Sequence, residues 1–249
     1  MPSSWPSQIS PIMTIILAMA PRTVLDIGPG FGKYGVLCRE YLDIVPGSRS
    51  SVTYPPPRRM TIDCIEAWPD YVSPLHHYIY DHVYVGDARL ILPNLAAGAY
   101  DLALFVDVLE HCSAREGRRL MNLALEVAPL LLVATPTTDI PQGASFGNDY
   151  ERHLSRWTPR ELRALAPACR FFRNPPWRAV HAGHICLLSA DDSMLSQVAR
   201  RVRALTWVAY RTALLESLHL RDPIRRLLGR PRLSSAQPLP GRTGDREGG

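Results

Sequence analysis

Residues 24–32, Val-Leu-Asp-Ile-Gly-Pro-Gly-Phe-Gly, are the stretch of this 249-residue chain that decides its fold. The run from Thr23 to Ile27 predicts a buried strand, and Gly28, Gly30 and Gly32 after it predict a turn into a helix. Because glycine has no Cβ, such a turn lets the backbone approach a ligand closely. Parallel α/β folds bind ligands at the carboxyl ends of their strands, so this turn predicts a ligand site.

Further strands and helical segments alternate along the chain after this turn. We predict strands at 61–66, 82–85, 100–106, 130–134, 170–173 and 183–189, and helices at 33–43, 71–80, 90–97, 114–128 and 159–166. Such an alternation implies crossover connections between parallel strands. The sequence therefore predicts an α/β fold: a doubly wound, mostly parallel, Rossmann-like sheet with a C-terminal helical extension.

The chain divides into four predicted regions. Residues 1–22 form an N-terminal helical leader, and residues 23–190 form the ligand-binding domain. Residues 191–229 form a basic amphipathic helix, and residues 230–249, rich in Pro, Gly, Ser and Arg, are predicted to be disordered. A Pro/Ser/Arg-rich insertion at 46–59 and a long connection at 136–157 interrupt the domain, and connections of the latter length are usually functional or disordered.

The net charge of +5 is unevenly distributed. Residues 194–249 hold eleven Arg against four acidic residues, a net charge of +7, which leaves −2 for the rest of the chain. We therefore do not expect the domain to bind nucleic acid, which needs a basic surface. For the basic helix three alternatives stay open: packing on the domain or a partner protein, contact with an anionic membrane surface, and binding of nucleic acid.

Five scattered cysteines without a paired spacing predict reduced thiols and a cytoplasmic protein. The apolar stretch at 12–20 is too short to span a bilayer and lacks the basic segment of a secretory signal. Nothing in the sequence determines the oligomeric state.

The position of Asp26, two residues before the first glycine, distinguishes two kinds of cofactor site. A dinucleotide-binding turn requires its third glycine at position 33, where this chain has Lys33. The stretch from Val24 to Gly32 instead resembles the first motif of class I S-adenosylmethionine-dependent methyltransferases. This cofactor has no phosphate and carries an ammonium and a sulfonium group, so a carboxylate beside the turn suits it.

Three further acidic positions follow in the order that this resemblance implies. Glu66 ends the second strand, where a carboxylate can accept both ribose hydroxyls. Asp87 and Ala88 resemble the family's adenine contact, and Asp107 resembles its acidic residue beside the methionine end. The resemblance thus implies a cofactor site that contains these residues together with Asp26, Gly28, Gly30 and Gly32. Taken one at a time, each acid can instead be a solvated loop carboxylate.

Two histidines are candidates for a catalytic base, which methyl transfer to a hydroxyl group requires. His111 follows the fourth strand, and His153 lies in the long connection, which we expect to cover the same sheet edge. Alternatively, His111 caps its helix and His153 packs structurally. Phe146, Tyr150 and Trp157 are candidates for an apolar substrate wall, or for ordinary anchors of the connection.

Asp107, Glu110, His111 and His153 also resemble the metal ligands of small-RNA 2′-O-methyltransferases, which implies a divalent ion as an alternative to the base. We predict O-methylation of a small-molecule or glycan hydroxyl, with the acceptor itself undetermined. The alternatives are metal-assisted 2′-O-methylation of RNA and a cofactor-binding module without catalysis.

Overall fold

The computed structural model of the chain describes residues 4–45, 57–172 and 183–217, with side chains as far as 207. Most of the predicted insertion at 46–59 and all of the predicted disordered tail at 230–249 lie outside the described residues. The chain falls into two units, of which the first ends at Thr206 and the second begins at Trp207. Of the second unit, the described part is helical and ends at Ser217.

Seven strands form one sheet in the order β3-β2-β1-β4-β5-β7-β6. The first five strands are parallel, whereas β7 runs antiparallel to β5 and to β6. The central strands are apolar and buried because helices cover both faces of the sheet. The strands are β1 (Thr23–Ile27), β2 (Thr61–Glu66), β3 (Val83–Val85), β4 (Leu102–Val106), β5 (Leu130–Pro136), β6 (Ala168–Phe172) and β7 (Gly183–Ser189).

In the part of the chain that the structure describes, seven α-helices accompany the sheet. They are α1 (Pro6–Met19), α2 (Lys33–Cys38), α3 (Pro74–Ile79), α4 (Ala88–Ile91), α5 (Ala114–Val127), α6 (Pro159–Arg163) and α7 (Asp192–Ser217). A π-helical turn, Arg39–Ile44, continues α2, and the helix predicted at 90–97 is shorter because a 3₁₀ turn around Pro93 follows α4. Capping boxes at Ser113 and Thr158 begin α5 and α6. The predicted doubly wound α/β fold is thereby confirmed.

Two hydrophobic cores lie on the two faces of the sheet. One contains α1, α2 and the start of α7, with Ile12, Ile15 and Ile16 of α1 fully buried. The other contains α5, α6 and the buried Trp157. The helix at the N-terminus therefore packs on the sheet, and Leu195 of α7 is buried in the same core as α1. Within the described residues, no helix is both long enough and apolar enough to cross a membrane.

Candidate functional site

The turn after β1 has the backbone conformation that its glycines predict. Gly28, Gly30 and Gly32 have φ values of 64°, 56° and 78°, a backbone conformation that residues with a side chain rarely adopt. At Gly28 a Cβ would also lie 2.8 Å from Cγ2 of Val108. A larger residue at Gly28 would therefore strain the glycine turn, which we define as residues 28–32. Gly28 and Gly30 line a cleft, whereas Gly32 begins α2 beside it.

Two residues that no sequence motif indicates hold this turn and the Asp26 carboxylate before it. His76 of α3 is buried, and its Nε2 donates to the carbonyl oxygen of Gly30 at 2.8 Å, since a carbonyl can only accept. The Tyr80 hydroxyl donates to Oδ2 of Asp26 at 2.7 Å and packs so close to Gly35 that a Cβ there would clash with it. These contacts join residues far apart in the chain, and no motif in the sequence signals them.

A cleft of about 340 Å³ lies at the carboxyl ends of β1 to β4. Asp26, Glu66, Asp87 and Asp107, which come from four different strand ends, all line it. Ala88 and His111 line it as well. The structure thus brings together most of the predicted site residues, in a volume typical of small-molecule sites.

Asp26 and Glu66 are buried carboxylic acids. Burial raises the pKa of Asp26 to about 6, although the bond from Tyr80 lowers it. Burial likewise raises the pKa of Glu66 to about 7, although Oε1 of Glu66 accepts a hydrogen bond from the Trp68 N–H at 2.8 Å. Since burial disfavours the charged form of both groups, a cation or hydrogen-bond donor that enters the cleft stabilises their carboxylates.

The raised pKa of Glu66 makes folding depend on pH. A carboxyl group whose pKa is higher in the folded state contributes stability at low pH, which is lost as the pH rises from about 4.5 to about 7. We expect Glu66→Gln to gain stability over the wild type, by on the order of 2 kcal/mol, when the pH changes from 5 to 8. Urea unfolding at both pH values measures this difference. Asp149→Asn, at an exposed carboxylate, is the control, and a gain equal to that of the control contradicts the prediction.

Asp87 is held by a local ion pair. Its carboxylate caps α4 by accepting the Arg89 N–H at 2.8 Å, and the Arg89 guanidinium lies 2.5 Å from Oδ2. The Arg89 guanidinium, which also contacts Glu116, holds the pKa of Asp87 below its usual value. Asp87 is therefore a paired carboxylate at the edge of the cleft, with Ala88 as the first residue of α4 beside it.

Asp107 follows β4 in a left-handed conformation, with φ 55°. Its Oδ1 accepts a hydrogen bond from Nε2 of Gln8 at 3.3 Å. Burial raises the pKa of Asp107 to about 6, whereas Gln8 and the nearby Lys33 ammonium lower it. Asp107 is thus a half-buried acid whose hydrogen-bond donor comes from α1.

His111 lies at the cleft, and its Nδ1 donates to the carbonyl oxygen of Arg152 at 3.2 Å. This bond leaves the lone pair on Nε2, since only one nitrogen of the neutral ring carries a proton. Burial lowers the pKa of His111, which keeps the ring neutral near pH 7. The His153 ring meets the His111 ring edge-on with centroids 4.9 Å apart, but His153 does not line the cleft.

Three of the four predicted metal ligands come together. Glu110, His111 and His153 have candidate ligand atoms within 4.8 Å of one another. Asp107 does not belong to this group, because its left-handed backbone and its bond to Gln8 place it elsewhere in the cleft. Glu110 is fully buried outside the cleft and accepts from the Thr135 hydroxyl at 3.1 Å, and burial raises its pKa well above the usual value.

The long connection after β5 forms one wall of the cleft. The Tyr71 hydroxyl donates to Glu151 at 3.1 Å, and Tyr150 and Leu154 line the cleft beside it. Of the predicted apolar wall, only Tyr150 takes this place. Trp157 is instead buried in the core, where its Nε1 donates to the carbonyl oxygen of Leu109 at 3.1 Å. Phe146 is 71% exposed and does not line the cleft.

The strand order and the antiparallel β7 give this chain the class I methyltransferase fold, as the resemblance of the glycine turn predicted. The chain is similar to the PH0226 protein from Pyrococcus horikoshii, with a TM-score of 0.51 and 14% identity over 74% of this chain and 90% of that one.

Two other solved structures are less similar. A SAM-dependent methyltransferase from Archaeoglobus fulgidus has a TM-score of 0.47 at 18% identity, over 67% of this chain and 73% of that one. The bifunctional kinase-methyltransferase WbdD has a TM-score of 0.47 at 16% identity over 76% of this chain, which spans only 40% of the length of WbdD. No family model and no curated protein matches the chain.

Proposed function

We propose that this protein is an S-adenosylmethionine-dependent methyltransferase that methylates a hydroxyl group of a small molecule or glycan. One observation carries the proposal: Asp26, Glu66, Asp87 and Asp107 line a single cleft beside the glycine turn. Carboxylates at four successive strand ends favour a cationic nucleoside and disfavour a phosphate-bearing one.

The residues of the cleft fit this cofactor from one end to the other. Glu66 ends β2, where it can accept the ribose hydroxyls, and Asp87 and Ala88 lie beyond β3 on the adenine side. Asp107 ends β4, on the other side of β1, for the amino-acid end. The glycine turn, where Gly28 and Gly30 have no side chain to separate the backbone from a ligand, lies between them. When bound, the cofactor supplies an activated methyl group.

The charge of the cleft supports a cationic cofactor and an uncharged acceptor. Seven lining residues are acidic: Asp26, Glu66, Asp87, Asp107, Glu116, Asp149 and Glu151. The basic side chains among the described lining residues are Lys33 and Arg89, and Arg89 is paired with Asp87. A phosphate-rich acceptor such as RNA is disfavoured by this excess of negative charge.

His111 is the residue that we assign to the acceptor. A hydroxyl group must lose its proton as its oxygen forms the new bond to carbon, and a neutral imidazole at the cleft can accept that proton on Nε2. The bond from Nδ1 to the Arg152 carbonyl orients the ring for this role. His153 contacts His111 and not the cleft, so we assign it a positioning role through that ring.

Calorimetric titration of the full chain with S-adenosylmethionine tests the proposal. We expect binding at one site, and the absence of both heat and thermal stabilisation at saturating ligand contradicts it. A turnover assay that follows S-adenosylhomocysteine formation with neutral hydroxyl acceptors then separates an enzyme from a cofactor-binding module. Binding without turnover on all acceptors favours the module.

The group of Glu110, His111 and His153 favours a metal-assisted reaction as the second candidate. Against it, Asp107, the fourth predicted ligand, lies outside this group, and the Glu110 carboxylate already accepts a hydrogen bond from the Thr135 hydroxyl. We therefore expect purified protein to contain no stoichiometric divalent metal and to keep its turnover after chelation. Elemental analysis and assays before and after chelation measure both. The metal-assisted reaction is established instead if chelation abolishes turnover and a divalent metal restores it in the wild type but not in His153→Ala.

Two further properties belong to this proposal. The five cysteines are free thiols, which favours a reducing, cytoplasmic environment. Val198 and Val202 of α7 are buried with Leu195, which supports packing on the domain as the role of at least the first part of the basic helix. Contact of the rest of this helix with a membrane surface stays an alternative.

A further inference from the structure

Gln8 connects the N-terminal helix to the cleft. Its side chain is fully buried, and its Nε2 donates to Oδ1 of Asp107 at 3.3 Å, although the two residues are 99 positions apart. Ser4, just before α1, lines the cleft and accepts from the Lys33 ammonium through its carbonyl oxygen at 2.6 Å. The start of the described chain thus reaches the same end of the cleft as β4.

The space around Gln8 is made for an amide that bonds Asp107. Gly183, at the start of β7, leaves room for it, because a Cβ there would lie 2.7 Å from Nε2 of Gln8. The Gln8 Oε1 atom is buried and has no hydrogen-bond partner among the described residues. A buried carbonyl without a donor destabilises the fold, and an apolar side chain of the same length avoids this cost. The hydrogen bond from its N–H to Asp107 therefore explains why an amide side chain is present at position 8.

Asp107 lies on the side of the cleft where the amino-acid end of an extended nucleoside ligand would lie. In the sheet, β4 and β2 are neighbours of β1 on opposite sides, so Asp107 and Glu66 lie on opposite sides of the glycine turn. A nucleoside whose ribose lies at Glu66 therefore extends its other substituent toward Asp107. A carboxylate held in place by Gln8 is a partner for a cationic group there.

We propose that Gln8 is a positioning residue that orients Asp107 toward the cationic amino-acid end of the cofactor, so that α1 forms part of the binding site. The inference rests on the proposed function. It predicts that Gln8 contributes to the binding of S-adenosylmethionine but not to that of 5′-methylthioadenosine, which has the same nucleoside and no amino-acid end.

The test compares both ligands by calorimetry on the full chain. Gln8→Met keeps the length of the side chain and removes the amide. We expect it to weaken S-adenosylmethionine binding about tenfold, the scale of one hydrogen bond to a charged group, and to leave 5′-methylthioadenosine binding unchanged. Gly183→Ala, a substitution in β7, displaces the Gln8 amide, and we expect the same effect on both ligands. Ser10→Ala on the exposed side of α1, and Gly143→Ala, where a Cβ meets nothing within 4 Å, are the controls.

The outcomes separate the two proposals. Selective loss of S-adenosylmethionine affinity in both variants supports the role of Gln8. Equal loss of both ligands, or no loss of either, overturns it while the proposed function stands, because the wild type still binds. A wild type that binds neither ligand overturns the proposed function and this inference together. Melting temperatures of the variants near that of the wild type exclude general unfolding as the cause.

Discussion

We expect His111→Gln to lower kcat by about 10²- to 10⁴-fold, the usual contribution of a general base, while the affinity for S-adenosylhomocysteine stays within about twofold. The large effect is expected because the hydroxyl proton then loses the acceptor that we assign to it. The affinity is retained because the ring is assigned to the methyl acceptor and not to the cofactor. Steady-state kinetics and calorimetry on the same preparation measure the two quantities.

The pH profile adds a second test of the same role. Burial lowers the pKa of His111, so the base stays neutral to a lower pH than an ordinary histidine, and we expect activity to fall at that lower pH. His111→Gln lacks this acidic limb. His77→Gln, at an exposed histidine of α3 outside the cleft, is the matched control and leaves both profiles unchanged. A kcat of His111→Gln equal to that of the wild type rules out the base.

Glu66→Ala is expected to weaken S-adenosylmethionine binding by about 100-fold. The substitution removes both hydrogen bonds that the ribose hydroxyls donate to this carboxylate, and hydrogen bonds to charged groups are among the stronger ones. Calorimetry measures this loss. We expect the same loss for 5′-methylthioadenosine, since that ligand keeps the ribose, whereas Gln8→Met affects only the ligand with the amino-acid end.

The control for Glu66→Ala is Glu126→Ala, which removes an exposed glutamate of α5. Circular dichroism and the melting temperature check that Glu66→Ala still folds, since the Trp68 N–H loses its acceptor. If 5′-methylthioadenosine binds Glu66→Ala as tightly as it binds the wild type, Glu66 does not hold the ribose. The assignment of the nucleoside to the β2 side of the cleft then fails.

The acidic residues show which features of the candidate site can be predicted from the sequence. Asp26, Glu66, Asp87 and Asp107 each lie within two residues of the end of a predicted strand, and strands that run parallel bring those ends to one edge. Their convergence was therefore predictable without any side-chain contact. The hydrogen-bond partners of each acid were not, because they depend on which loops and helices pack against that edge.

Trp157 and Asp107 illustrate the same limit. An aromatic residue in a long connection has the same local pattern whether it faces substrate or the core, and the packing beneath α5 buries Trp157 against Gly117. For Asp107, its spacing to Glu110 and His111 matches a metal-ligand pattern. Its left-handed backbone nonetheless separates it from the group that Glu110 forms with the two histidines.

The sequence by itself determined the alternating strands, the glycine turn and the strand ends that carry acids, because periodicity and glycine content act through local backbone preferences. The tertiary structure alone decided that Tyr80 bonds Asp26, that Gln8 bonds Asp107 and that His153 meets His111. These contacts join residues 42 to 99 positions apart. They exist only once helices and loops pack on the finished sheet, since no local preference brings such distant side chains together.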